Sequence, residues 1–344
     1  MREVRFGLCG LTAESTDLSR SGYGAAIRRT IDTAVLAEEV GFDSVWLSEH
    51  HFAPDGYLPS PWGVLGAMAT ATERIVIGPS VILAPLHDPL RLAEEAAIID
   101  QLSGGRLVLG MGLGYRTEEW KAFGVEPRDR VRVLLDCIDT CRRSWSGEPV
   151  LGLGLLDDDW GVDVRPLPST DAGPPIWLGS GVEAGVRRAG RVADGYIAPP
   201  VSPKYLNKCL GWLADEGALE RSAIMTSIYG FVAASNAREI VRPAVRLVDQ
   251  QYRVWMNMEQ GTVMPTAGDW AQDETSMLDG RDFVAGTPDE MVAALRPWYE
   301  LLSSVPGEAP AHLTIRLTWP GQGPELEEAI RLFGREVIGA LRAS

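Results

Sequence analysis

Eight apolar, strand-like runs occur along the 344 residues, and nearly all are followed after a short connection by a helical pattern. That alternation predicts an α/β chain with a parallel sheet wrapped by helices. Eight strand–helix units close a barrel within about 250 residues. The surplus here gathers in two aperiodic stretches, 147–175 and 257–281. These observations predict one domain over 1–344, a single (β/α)8 TIM barrel with insertions after the fourth strand unit and near residues 257–281. A doubly wound open sheet is the rival architecture.

Val4 to Gly10 reads as the first strand. Tyr23 to Val40 follows with Ile27, Ile31, Val35 and Leu36 on one face, and Gly41 closes that helix. Val45-Trp46-Leu47 is a short apolar run between Gly41-Phe42-Asp43 and the breaker Pro54 with Asp55-Gly56, the pattern of a buried parallel strand and then a loop. Pro61 to Thr72 is a small-residue helix, and Arg74 to Leu83 reads as one continuous apolar strand. Pro89 opens a helix whose 3.6 period runs from Leu92 to Leu102 and stops at Ser103-Gly104-Gly105. Arg106 to Met111 is the fourth strand, and Gly112-Leu113-Gly114-Tyr115 turns into Glu118-Glu119-Trp120.

Arg128 to Trp145 is a long amphipathic helix. Gly147 to Pro175, with Asp157-Asp158-Asp159, reads as a hairpin or extended surface excursion. Alternation resumes with Ile176-Trp177-Leu178 and a helix through Gly190, Gly195 to Ala198, a helix over Pro203 to Leu213, a strand over Ile224 to Ala233, and a helix over Ala237 to Met256. The polar run 257–281 is too long and aperiodic for an ordinary connection, which suggests a lid or binding loop. Thr287-Pro288-Asp289-Glu290 starts a helix to about Leu302, His312 to Trp319 is the last strand, and Pro324 to Arg342 the closing helix.

Composition narrows the functional classes. With 45% hydrophobic and 23% charged residues the chain is globular. A formal charge of −15 argues against nucleic acid or an anionic membrane as partner. There is no charged-then-apolar leader and no apolar run near 20 residues, which predicts a cytoplasmic protein. Four cysteines match neither a disulfide framework nor a zinc pattern, and Cys137 and Cys141 read as helix packing.

Glu49, His50 and His51 fall where the second strand ends, the rim at which strand-then-helix proteins bind ligands. An acid beside two imidazoles suits proton transfer near neutral pH. The same residues read equally well as a capping acid and two structural histidines. The two histidines are adjacent rather than four apart on a helix, so no standard two-histidine metal site is offered. Gly179-Ser180-Gly181 before a helix presents N–H groups and a hydroxyl to a phosphate, with Arg187 or Arg188 adding charge. A plain helix-initiating turn is the other reading.

The chain resembles the bacterial luciferase-like family of flavin-dependent monooxygenases in four stretches, in order. Gly41 to Phe52 resembles the segment carrying that family's catalytic histidine, which maps to His50. Ile77 to Pro85, with Asp88-Pro89-Leu90-Arg91, resembles its third strand, where a non-prolyl cis peptide lies against the flavin ring; it maps to Ser80-Val81. Asp100 to Tyr115 resembles the fourth strand and turn, and Pro174 to Gly181, with Arg188-Ala189 and Asp194-Gly195-Tyr196, the phosphate-binding strand and helix. Gly286 to Glu290 adds support.

The resemblance implies a monooxygenase that takes reduced FMN from a separate flavin reductase and uses O2, through a flavin hydroperoxide, to oxidise a small organic substrate. His50 would be the base or orient the peroxide, with Glu49 and His51 setting its tautomer and charge. The cofactor would meet Ser80, Val81, Gly112, Tyr115, Gly179, Ser180, Gly181 and Arg188. Trp255, Met256, Met258 and Trp270 are candidates for an apolar substrate pocket, and read equally as ordinary packing. The resemblance further implies a homodimer through helices 61–72 and 89–102. Luciferase itself has an Arg, a thiol and an acid where this chain has Leu113, Gly112 and Gly179. The resemblance therefore implies a family monooxygenase with another organic substrate. A deazaflavin-dependent hydride transferase on the same fold is the alternative, and a flavin-binding protein without turnover is a third, against which the retained His50 argues. The glycines at 110, 112 and 114 lack the rest of a nicotinamide fingerprint.

Overall fold

Strands pair in parallel around a ring in this computed structural model, which describes residues 2–147, 149–150, 161–257, 283–321 and 323–343, the side chains of 252–257 excepted. In chain order the strands are β1 (Val4–Leu11), β2 (Ser44–Leu47), β3 (Val76–Pro79), β4 (Ile82–Leu83), β5 (Leu109–Gly112), β6 (Ile176–Gly179), β7 (Gly195–Ala198), β8 (Ala223–Val232), β9 (Phe283–Gly286) and β10 (Ala311–Arg316). Pairing runs β3-β2-β1-β10-β8-β7-β6-β5-β4, so the path begins and ends on neighbouring pieces of one stretch of chain. A parallel bridge between Ile77 and Leu107 closes the gap. This is the eight-stave barrel expected from the alternation, with two differences. The third stave is two strands, because the Ser80-Val81 peptide is cis and breaks the ladder between β3, paired to β2, and β4, paired to β5. The extra strand β9 pairs with Tyr229 to Val232, the far end of β8.

The helices are α1 (Arg20–Glu39), α2 (Pro61–Ala71), α3 (Pro89–Ser103), α4 (Thr117–Ala122), α5 (Arg130–Trp145), α6 (Glu183–Val192), α7 (Pro203–Asp215), α8 (Ala237–Asn257), α9 (Pro288–Ser304), α10 (Pro324–Leu332) and α11 (Gly339–Arg342). Their starts follow local chemistry. Asp88 accepts from the N–H groups of Leu90 and Arg91 ahead of Pro89, and Thr287 and Glu290 form a reciprocal capping box. The closing helix departs from the expected continuous run, passing through a π-helical turn at Phe333–Ile338 between α10 and α11. Of the segment 257–281 expected as a lid, 258–281 lies outside the described residues, as do the acidic run 157–159, Met258, Trp270 and the side chains of Trp255 and Met256. In the first insertion Val150 and Val162 form an antiparallel bridge.

Alternation along each stave separates two cores. Phe6, Leu8, Leu313 and Ile315 face the helices, whereas Cys9, Trp46, Val108, Trp177, Ile197 and Met225 face the barrel axis. Trp46 and Trp177 stack at 5.2 Å, and the His312 ring meets both edge-on. His312 bonds the Ser44 hydroxyl at 2.9 Å, and burial, with help from Arg5, pulls its pKa down to about 3, so this imidazole is neutral. The barrel axis is therefore filled by side chains, and the open ground is the rim at the C-terminal ends of the strands.

Close approach between staves rests on glycine. A β-carbon on Gly110 would collide with the Pro79 carbonyl oxygen, which is backbone and fixed, whereas one on Gly63 in α2 meets nothing within 4 Å. Urea unfolding of Gly110→Ala should show a loss of about 3 kcal/mol, and Gly63→Ala a change of no more than about 1 kcal/mol in the stabilising direction.

Candidate active site

The chain leaves β2 straight into Glu49-His50-His51, and a bridge between His50 and Leu58 pins the loop that follows. His50 is buried between the rings of Tyr57 and Tyr115, at 5.2 and 5.1 Å. Its Nδ1 lies 3.0 Å from Glu119 Oε1. An ionised carboxylate can only accept, so Nδ1 carries a proton and donates it to Glu119. The sequence reading assigned this control of the tautomer to Glu49 and His51. The correction is that Glu119, on α4, performs it, because α4 packs its first turn against the β2 loop. Glu119 Oε1 also accepts from the His51 N–H at 2.8 Å and from Arg116 Nη1 at 3.0 Å, and Arg116 donates to the His51 carbonyl at 2.6 Å. Burial alone would raise the Glu119 pKa, but the bond and charge of His50, the His51 N–H and Arg116 outweigh it and hold the carboxyl below its usual range. Its Oε2 is buried with no partner among the described residues.

Glu49 belongs to a second arrangement behind His50. It is 2% exposed and accepts from His51 Nε2 at 2.9 Å, from His87 Nε2 at 3.0 Å and from the Leu83 N–H at 2.6 Å. Burial opposes ionisation here too. The bonds from His51 and His87, the charge on His87 and the Leu83 N–H prevail, and the pKa falls to about 2. His87 was not foreseen: Leu86-His87-Asp88 gives no motif, and only the fold brings it to Glu49. Among the described residues no group of three or more His, Cys, Asp or Glu side chains is placed to hold a metal ion.

Ser80 and Val81 form the shelf between β3 and β4, their shared peptide cis as the resemblance implies. The two Val81 methyls fill the room left by two glycines. A β-carbon on Gly112 would collide with one, and a β-carbon on Gly179 would sit 2.9 Å from the other. Gly112 and Gly179 thus keep β5 and β6 bare beneath the shelf, and a thiol or an acid at these positions would displace Val81.

Ser180 and Gly181 lie at the start of α6, which no side chain caps. Tyr196 donates to the Ser180 carbonyl at 2.8 Å and Tyr205 to the Gly181 carbonyl at 3.0 Å. In a trans peptide the N–H opposes the C=O, so the Gly181 N–H faces away from Tyr196. Of the two arginines considered, Arg187 is tied to Glu183, Asp215 and Glu216. Arg188 instead has Arg191 and Arg130 as its charged neighbours; with burial they lower its pKa. Among the described residues no carboxylate pairs with Arg188 or Arg130, while Arg191 is bonded to Glu216. Arg130 was missed by the sequence reading, yet it carries a signal. It is the first residue of α5, whose first turn has no acid, and a cation at that positive end is unfavourable unless an anion joins it. Its guanidinium lies over Trp120 at 4.7 Å. Two half-buried guanidiniums without an acid partner among the described residues, beside an uncapped helix start, could hold a phosphate.

Comparison with known proteins identifies the family. The 4-hydroxyprotoasukamycin monooxygenase of Streptomyces nodosus subsp. asukaensis is 26% identical over 295 residues, covering 79% of this chain and 77% of that one. The F420-dependent glucose-6-phosphate dehydrogenase of Nakamurella multipartita is 28% identical, covering 94% and 97%. Some curated relatives are matched over only about half of their own length. Among solved structures, the FMN complex of the oxygenating constituent of 3,6-diketocamphane monooxygenase from Pseudomonas putida superposes with a TM-score of 0.76 at 19% identity, covering 98% of each chain, which shows the fold. A family model described as "Luciferase-like monooxygenase" matches residues 4–304, and the chain belongs to that family.

Proposed function

We propose that the protein is a monooxygenase that uses reduced FMN and O2 to oxidise a small organic substrate. The observation that carries this reading is His50, a buried imidazole whose Nδ1 is held by Glu119, on the same rim as the Ser80-Val81 shelf. When bound, a reduced flavin supplies activation of O2 and delivery of one oxygen atom. The chain's own part is to hold, orient and shield. Arg188, Arg130, Ser180 and the Gly181 N–H would take the phosphate, and Val81 over Gly112 and Gly179 would back the ring. His50 Nε2 would accept a proton from substrate or orient the reacting group, and Glu119 would keep that nitrogen aimed. Tyr57 and Tyr115 would exclude water on either side of the imidazole.

In this reading Glu49 and His51 support the rim rather than touch the reacting atoms. A separate flavin reductase supplies the cofactor, and the chain acts as a homodimer through α2 and α3. The second reading, a hydride transferase using a reduced deazaflavin coenzyme, draws on the F420-dependent relative that spans nearly the whole chain. No described helix is long and apolar enough to cross a membrane.

Titration of the purified protein with reduced FMN and with a reduced deazaflavin, followed by absorbance under air, separates the two. Slow, protein-dependent reoxidation of bound FMN supports oxygenation, and tight deazaflavin binding with none for FMN overturns it. Replacing Arg188 or Arg130 by Ala should weaken FMN about tenfold and leave riboflavin, which lacks the phosphate, unchanged. His50→Ala should bind FMN as the parent does and lower product formation about a thousandfold. Turnover near the parent rate in that variant would remove His50 from its role.

A further inference from the structure

The Ser80–Leu83 segment is anchored unequally. On the β5 side β4 has a ladder, Ile82 to Met111 and Leu83 to Gly112. On the β2 side the ladder stops at Pro79, and single bonds replace it: Ser80 N–H to the Leu47 carbonyl at 2.6 Å, Ser48 Oγ to the Ser80 carbonyl at 3.4 Å, and Leu83 N–H to Glu49 Oε2. A side-chain carboxylate thus stands where a neighbouring strand's carbonyl would be, two residues past Val81.

That carboxylate is buried and needs charge as well as donors. Its two imidazole partners differ. His51 is half-buried, with Phe123 edge-on at 4.7 Å, Phe52 at 5.8 Å and its backbone held by Glu119 and Arg116. His87 lies on the loop between β4 and α3 and is half-buried. It faces Glu49 from the β2 loop, Glu95 from α3 and the edge of Trp62 from α2, while Arg91 and Glu94 act on Glu95. Burial disfavours its charge, but Glu49 and Glu95 prevail and raise its pKa above 6.5.

We propose that Glu49 and His87 form a proton-sensitive brace for the cofactor shelf, such that protonated His87 holds Glu49 on Leu83 and favours binding of the flavin ring. Glu49 and His87 are positioning residues. The inference rests on the reading that a flavin-type ring lies against Ser80-Val81. The sign follows from the direction of the His87 shift: the contribution is whole below pH 6.5 and is lost as pH rises through the raised value. By linkage, a ring that binds better to the protonated form must in turn raise the pKa of His87.

The test is FMN affinity from pH 6 to 9 for the parent and for His87→Gln, which keeps a donor but no charge. The ratio of the two dissociation constants at each pH cancels the titration of the FMN phosphate itself. The parent should lose about tenfold in affinity relative to His87→Gln across that range, and NMR should show the His87 pKa rising by about one unit when FMN binds. Glu49→Gln, if folded, should bind weakly with a flat ratio to His87→Gln. A ratio independent of pH, or an unmoved His87, overturns the brace and leaves the flavin assignment standing. Failure of both FMN and a deazaflavin to bind at any pH overturns the flavin reading and the brace with it.

Discussion

Two carboxylates shut away from water organise the rim of this barrel. A buried acid stays ionised only where donors and positive charge surround it, and losing one partner leaves a charge the interior cannot solvate. Glu119 meets that demand with His50, the His51 N–H and Arg116, and Glu49 with His51, His87 and the Leu83 N–H. His51 serves both acids, its backbone on one and its ring on the other. The β2 loop, α4, the shelf and the loop before α3 are therefore tied into one hydrogen-bonded unit, and the orientation of His50 is a property of that unit.

The four histidines show how position within one barrel decides an imidazole's chemistry. His312 sits between Trp46 and Trp177 in the filled axis, where no carboxylate reaches it, and is held neutral. His87 meets two acids at the rim and is biased toward its charged form. His50 has Glu119 on Nδ1, which fixes the orientation of its ring. At the start of α6 the opposite rule holds, with Arg188 and Arg130 brought together and no acid paired with either among the described residues, a charge pattern that an anionic ligand would complete.

Much of the fold was legible because strands buried on both faces read as short apolar runs, and all eight staves were found in order. The Gly179-Ser180-Gly181 turn and His50 could be named because each stands at the end of such a run. Glu119 was in view as the start of α4, but an acid in a first helical turn is what the helix dipole favours anyway, so its second task left no mark. Arg130 and His87 depend on neighbours 58 and 38 positions away, Arg188 and Glu49. Such pairings follow from closure of the ring, and periodicity carries no trace of them. The break at Ser80-Val81 was hidden for a related reason: its composition is that of an unbroken strand, and only the resemblance pointed to it. Strand β9 follows an aperiodic stretch and borrows its ladder from the overhanging end of β8.

The stacked indoles of Trp46 and Trp177, with His312 wedged against them, make the barrel axis solid. Matter cannot pass along it from one face to the other. Any compound that reaches His50 therefore comes and goes on the rim side of the barrel.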